Sequence, residues 1–207
     1  MMEKKGLHGS FYNLIKFLIV SIIVCFLSCQ KQKCPNLGDQ FADFSPIEWL
    51  QAPAQSIYKL KGNIILIRWW TDECIYCVNS SDALNIWYDK YHSKGLEILG
   101  IYHPKPRGRK PNMEEIREYV QEKGFHFPIG LDLDWVNLDK YWNACGEKEF
   151  TSVSFLIDKA GRLVFVHEGG EYHQDYHEGH EDCVKDFYIL DSTIQKLLED
   201  RNTRIQR

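Results

Sequence analysis

Residues 64–77 read Ile-Ile-Leu-Ile-Arg-Trp-Trp-Thr-Asp-Glu-Cys-Ile-Tyr-Cys. The stretch opens as an apolar run rich in β-branched side chains, bounded upstream by Gly62-Asn63, and ends in two thiols. Such a run reads as a strand buried on both faces. Thr71-Asp72-Glu73 breaks the strand, and a helical pattern follows the cysteines. The first thiol, Cys74, then sits at a helix N-terminus, where free backbone N–H groups and the helix dipole favour a thiolate. Three-residue spacing brings Cys77 onto the same helical face, within reach of a disulfide with Cys74. This is the arrangement of a dithiol that opens and closes.

Working outward, Leu84, Trp87, Tyr88 and Tyr91 recur at three- and four-residue intervals, giving a helix with one apolar face that Gly95 ends. Glu97–Tyr102 is a second strand. The basic loop 105–110 reads as a solvated turn. Asn112 is a helix N-cap with Glu115 completing a capping-box pattern, and Gly124 stops that helix. Phe127–Leu131 reads as a strand and Trp135–Trp142 as a helix. Val153–Ile157 and Leu163–Val166 form a hairpin over Asp158-Lys159-Ala160-Gly161. Phe187, Leu190, Ile194, Leu197 and Leu198 give a final amphipathic helix. Upstream, Phe41–Leu50 and Ile57–Leu60 read as short strands or extended arms. The order fits an α/β domain with a central mixed sheet and helices on both faces.

The 207 residues are 44% hydrophobic and 26% charged, enough for a sizeable core, and the net charge of -4 leaves no basic field for a nucleic-acid partner. Lys4 and Lys5 precede a mostly apolar Leu14–Leu27, whose charge-free part, Phe17–Leu27, falls short of the ~20 residues that span a bilayer. Its length suits a signal-peptide core. Phe26-Leu27-Ser28-Cys29 resembles a bacterial lipobox, with Phe26 where leucine is usual, and marks Cys29 for lipidation. A signal anchor and simple secretion are the alternatives, and all three place the folded part outside the cytoplasm. The expected organisation is a lipoprotein-type signal peptide over 1–28, a tether over 29–40, the folded domain over 41–200 and a tail over 201–207. Cys34, in the tether, reads as a bystander.

The pieces Ile-Arg-Trp-Trp-Thr-x-x-Cys-x-x-Cys at 67–77, Lys94–Pro104, Phe127-Pro128-Ile129, Trp135, Ser154–Arg162 and Val166–Tyr172 together resemble the thioredoxin superfamily. The resemblance is to its TlpA-like extracytoplasmic thiol-disulfide oxidoreductases, and within them to the C-terminal domain of DipZ-type proteins. It implies a thioredoxin-like fold. It also implies exchange of disulfides with envelope proteins, the exchange itself requiring no cofactor; together with the lipobox, the expected protein is a lipid-anchored monomer facing the periplasm. Cys74 would be the attacking thiol and Cys77 the resolving thiol. Three positions depart from the family pattern. Ser152 stands where a cis-proline faces the dithiol, and a trans bond is expected there, because cis costs about 2.5–4 kcal/mol at a non-proline. Glu73 replaces a tryptophan and would disfavour the Cys74 thiolate, whereas Arg68 replaces a polar or acidic residue and would favour it.

Other chemistries compete. Cys74–Cys77 as half of a zinc site lacks a second C-x-x-C pair. A thiol peroxidase would use Thr71 three places before Cys74, but Ile67 holds the required proline's place. His173, His177, His180 and Cys183 have a spacing that suits zinc or copper, with His167 just upstream, and a metallochaperone would follow from it. Cys145 and Cys183 are candidates for a second disulfide.

Overall fold

The computed structural model describes residues 34–200. The signal segment 1–28, Cys29 and the tail 201–207 lie outside the described residues. In chain order the elements are β1 (Glu48–Trp49), β2 (Ile64–Trp70), α1 (Ile75–Tyr91), β3 (Leu96–Tyr102), α2 (Met113–Glu122), β4 (Ile129–Leu131), α3 (Val136–Tyr141), β5 (Ser154–Ile157), β6 (Leu163–His167) and α4 (Glu181–Glu199). They form one six-stranded sheet in the order β1-β4-β3-β2-β5-β6. β2 runs parallel to β3, and β3 to β4. The β2–β5, β5–β6 and β1–β4 pairs are antiparallel.

All seven residues of β2 are buried, because helices cover both sides of the sheet. Ile64, Leu66 and Trp70 join a core with Leu84 and Trp87 of α1, Ile116 and Val120 of α2, and Phe187, Leu190 and Ile194 of α4. Ile65, Ile67 and Trp69 face the other way, onto Leu138 and Tyr141 of α3, Phe41, Ile57 and Phe155. Each buried aliphatic side chain contributes about 1.5–3 kcal/mol. This double-sided core holds the C-terminal end of β2 rigid, and Cys74 hangs from that end.

The ends of the elements moved where local chemistry competes. The arms expected over 41–50 and 57–60 pair only at Glu48–Trp49, because Asp43 accepts hydrogen bonds from the Ser56 hydroxyl and the Ile57 N–H and closes a turn instead. β4 starts at Ile129, after Pro128, which has no N–H for the ladder. α3 is capped from outside, by Asp132 accepting from the N–H groups of Asn137 and Leu138. Asn112 does cap α2 through the Glu114 N–H, while Glu115 accepts from the Asn112 side chain and not from its backbone. The hairpin turns at Gly161 (φ 83°), with Asp158 accepting from the N–H groups of Ala160 and Arg162.

Two cysteine readings are corrected. Cys34 is no bystander: it is disulfide-bonded to Cys145, 111 residues away. Cys183 is free and pairs with neither. The bond follows from the way the chain enters the domain. Gly38 N–H donates to Leu163, Leu163 N–H to Asp39, and Phe41 N–H to Gly161. That strip lies along the β6 edge and brings Cys34 to the 3₁₀ turn at Asn143–Cys145. Closing so long a loop removes much unfolded-state entropy. Cys145→Ser is expected to lower stability by about 2–4 kcal/mol. Urea unfolding checks this, with the reactivity of Cys74 unchanged in the folded variant.

Candidate functional site

β2 ends at Trp70, and three polar residues carry the chain out of the sheet to Cys74, the N-cap of α1. Cys74 has extended backbone (φ -113°, ψ 113°), and its carbonyl accepts from the N–H groups of Cys77 and Val78 at 2.9 and 3.1 Å. Cys74 is half-buried, Cys77 is buried, and both are free thiols. Their acidities are driven apart. The Cys77 thiol donates to Cys74, and with the Cys77 and Tyr76 N–H groups and the Ser152 hydroxyl it brings Cys74 down to about 5 against the opposing effect of burial. Cys77 moves up, because its proton is held by Cys74 and its site is dry, with Arg68 pulling the other way. At neutral pH the pair is one thiolate and one thiol, which suits attack followed by resolution.

Ser152, buried and reached through a trans peptide bond, does more than fill a proline's place. Its hydroxyl is a donor to the Cys74 thiolate, a role the sequence reading did not assign. The turn that presents it is pinned from two sides. Thr151 Oγ1 lies 2.9 Å from Nε2 of His103, an imidazole so buried that it is held neutral, with its acidity moved to about 3. Arg68 donates through Nη1 to the Ser152 carbonyl at 2.6 Å and the Ser154 hydroxyl at 3.2 Å. Its Nη2 donates to the Gly170 carbonyl at 2.9 Å, and the guanidinium stands 4.9 Å from the Tyr172 ring centroid. Among the described residues no carboxylate pairs with Arg68.

Glu73 does not act on the thiolate as its place in the sequence suggested. Its side chain is 63% exposed and pairs with Arg109. Arg109 also binds Asp72, and Asp72 accepts from the Tyr102 hydroxyl at 3.0 Å. The basic loop is therefore no free solvated turn: Arg109 is bound to the strand end, and Arg107 to Asp139 and the Trp135 ring. The signal for Arg109 was only the presence of opposite charges at 72–73 and 107–110.

In the His/Cys-rich segment, His173, His180 and Cys183 converge with Glu171, which the spacing did not single out. His177 stays outside that group, its ring centroid 5.7 Å from that of His173 and 6.1 Å from that of His180. Burial and the Glu171 carboxylate push the Cys183 thiol up to about 11.

Residues 37–166 match the model of the AhpC/TSA family, more than half of the chain. The chain belongs to the AhpC/TSA family. It is similar to Protein DipZ of Mycobacterium tuberculosis, 26% identical over 160 residues, which are 73% of this chain and only 19% of that protein. It is also similar to the thiol-disulfide oxidoreductase ResA of Halalkalibacterium halodurans, 25% identical over 133 residues, 64% of this chain and 69% of that one. A thiol-disulfide isomerase from Corynebacterium glutamicum shares the fold, with a TM-score of 0.58 and 19% identity over 82% of this chain and 97% of that one. The architecture is thioredoxin-like, as the resemblance implied. Within the AhpC/TSA family this chain turns its Thr71 hydroxyl to Asp72, at 3.2 Å.

Alkylation of Cys74 by iodoacetamide is expected to rise with pH through a midpoint near 5 and to level off above it, against about 8.5 for an ordinary cysteine. The thiolate is the form being stabilised, so loss of a donor moves the midpoint up. Ser152→Ala is expected to shift it upward by about one pH unit, the worth of one hydrogen bond to a charged group.

Proposed function

We propose that this chain is a thiol-disulfide oxidoreductase of the cell envelope, exchanging disulfides with protein partners through Cys74 and Cys77. The observation that carries the reading is the pair of free thiols at the tip of the central strand, Cys74 half-buried at the N-cap of α1 and Cys77 buried one turn on, an arrangement that drives their acidities apart. Cys74 thiolate attacks one sulfur of a partner disulfide, forming a mixed disulfide and releasing the partner's other sulfur as thiolate. The Cys77 proton passes to that leaving thiolate, and Cys77 attacks Cys74. The second partner sulfur departs as thiolate. The partner gains two electrons, and Cys74–Cys77 is left as the disulfide; the reverse sequence oxidises a dithiol partner. Exposed Ile75 and Tyr76 beside the nucleophile offer apolar surface to a docking polypeptide.

The envelope assignment draws support from the Cys34–Cys145 bond, since structural disulfides belong to oxidising compartments. It agrees with the signal and lipobox reading of residues 1–29, under which the mature protein is lipid-anchored and faces the periplasm; we take it to act as a monomer. Among the described residues no helix is long and apolar enough to cross a membrane. The two opposing influences read from the sequence stand in different surroundings, which favours the oxidising direction. Glu73 is occupied by Arg109, while Arg68 remains an unpaired buried cation. Stabilising the thiolate stabilises the reduced protein, which makes the disulfide a better oxidant than that of thioredoxin.

Cys77→Ser is expected to accumulate mixed disulfides with envelope proteins, visible on non-reducing gels and lost with dithiothreitol. Cys74→Ser should accumulate none. The Cys74–Cys77 potential is expected between roughly −270 mV, the value of thioredoxin, and −120 mV, that of DsbA. A value below that window contradicts the electrostatic argument, and absence of any reversible two-electron couple contradicts the function.

A further inference from the structure

Beyond the dithiol, a second cluster of donor atoms lies between α4 and the segment that follows β6. Oε1 of Glu171 has Nδ1 of His180 at 2.7 Å, Sγ of Cys183 at 3.6 Å and Nε2 of His173 at 3.9 Å. Nε2 of His173 stands 3.3 Å from Nδ1 of His180. One ligand atom from each of the four residues lies within 4.8 Å of the others. A tetrahedral zinc ion with bonds of about 2.0–2.3 Å sets its ligands about 3.3–3.7 Å apart, so the four atoms, gathered within 4.8 Å of one another, need side-chain shifts of about 1 Å to take the corners of such a site.

The atoms facing away from the centre are the more telling. Nδ1 of His173 lies 2.7 Å from the Asp175 carbonyl, which can only accept. That bond puts the proton on Nδ1 and leaves the lone pair of Nε2 aimed into the cluster. The other Glu171 oxygen, Oε2, accepts from the side-chain amide of Asn79. These are the outer partners that fix tautomer and orientation around bound metals. Glu171 is 7% exposed, and among the described residues no lysine or arginine pairs with it. Without a metal the His180 ring and the Cys183 thiol hydrogen-bond to the Glu171 carboxylate; a divalent cation would displace those protons and be held by the same atoms. Two imidazoles, a thiolate and one carboxylate suit a borderline-soft divalent ion rather than magnesium or calcium. A cleft of about 720 Å³, lined by Asn79, His173 and His180, gives an entry path.

We propose that Glu171, His173, His180 and Cys183 form a structural zinc site. Four protein ligands close the coordination sphere, so the ion holds the fold and does no chemistry. What it holds is next to the dithiol. Tyr172, between two ligands, lies under Arg68, donates its backbone N–H to the Ser80 hydroxyl of α1, and meets Ser154 through its hydroxyl at 3.1 Å. Zinc therefore clamps this segment onto the helix that carries Cys74 and Cys77.

The test uses the full-length chain carrying Cys74→Ser and Cys77→Ser, so that the dithiol takes no metal and the result is independent of redox activity. Mass spectrometry of the dialysed protein is expected to find one zinc per chain. Cobalt(II) in its place is expected to give a tetrahedral visible spectrum with a thiolate-to-metal charge-transfer band. Adding Cys183→Ser should abolish that band, and His180→Ala should weaken zinc binding at least about 100-fold. Asn79→Ala, which touches only the partner of Glu171, should weaken it by roughly 10–100-fold, and His177→Ala should leave it within about twofold. Failure of the chain to retain zinc overturns the proposal, whatever the variants do. So does wild-type affinity in both Cys183→Ser and His180→Ala.

Discussion

The buried guanidinium of Arg68 is the constraint on which the rest of the site depends. A cation that is 1% exposed costs several kcal/mol unless its surroundings replace water. Here the replacement comes from separate parts of the chain: the Ser152 carbonyl and Ser154 hydroxyl at the start of β5, and the Gly170 carbonyl and Tyr172 ring after β6. One side chain on the central strand thus ties the turn that faces Cys74 to the segment that packs on α1. Because its partners are carbonyls, hydroxyls and a ring, the positive charge is solvated without being cancelled. Its field reaches Cys77, where it opposes the effects that raise that thiol.

Distance along the chain is a poor guide to which charge governs a thiol. Glu73 adjoins Cys74, yet it lies in water and is bound to Arg109, so its field is screened twice. Arg68 is six positions away in sequence but sits in the low-dielectric core, where a unit charge acts several times more strongly at equal distance. The donors that matter most to the thiolate are closer still: the Cys77 thiol, two N–H groups of the helix N-terminus and the Ser152 hydroxyl. A proline at 152 would supply no such hydroxyl. The departure from the family pattern therefore changes the chemistry of the site as well as its backbone.

The parts legible in the sequence were those in which one residue type has one physical use. A run such as Ile64–Ile67 can only be buried, so β2 emerged with its observed ends. The thiols at the start of α1, the Asp158–Gly161 turn and the stripe of α4 were readable for the same reason. The failures share a cause as well. Cys34 finds Cys145 only because residues 38–41 lie along β6, a pairing that no local pattern encodes. Glu171 joins the histidines because the chain turns back at Gly179 (φ 83°) to start α4, which brings residues 12 apart into contact. His177 is singled out by its spacing alone, and the loop leaves it outside the group that Glu171 joins.

Five described cysteines share this domain, and exchange through one pair requires that the others stay out of it. Thiolate is the reacting species, so the competition is decided by acidity. Cys74, at about 5, is almost wholly ionised at pH 7. Cys183, at about 11, is ionised to only about one part in 10⁴ there, which is the arithmetic of a four-unit gap. Intrinsic nucleophilicity falls with acidity, but with a Brønsted coefficient of about 0.4–0.5 it recovers less than the difference. A metal-bound Cys183 would be withdrawn from exchange by coordination instead. Cys34 and Cys145 are withdrawn by being bonded to each other, at the β6 edge and the turn after α3. The same element, sulfur, is a nucleophile at the helix N-terminus, a covalent tie at the sheet edge and a quiet donor beside Glu171. Local charge and hydrogen bonding account for the first and the last, and the path of the chain along β6 for the second.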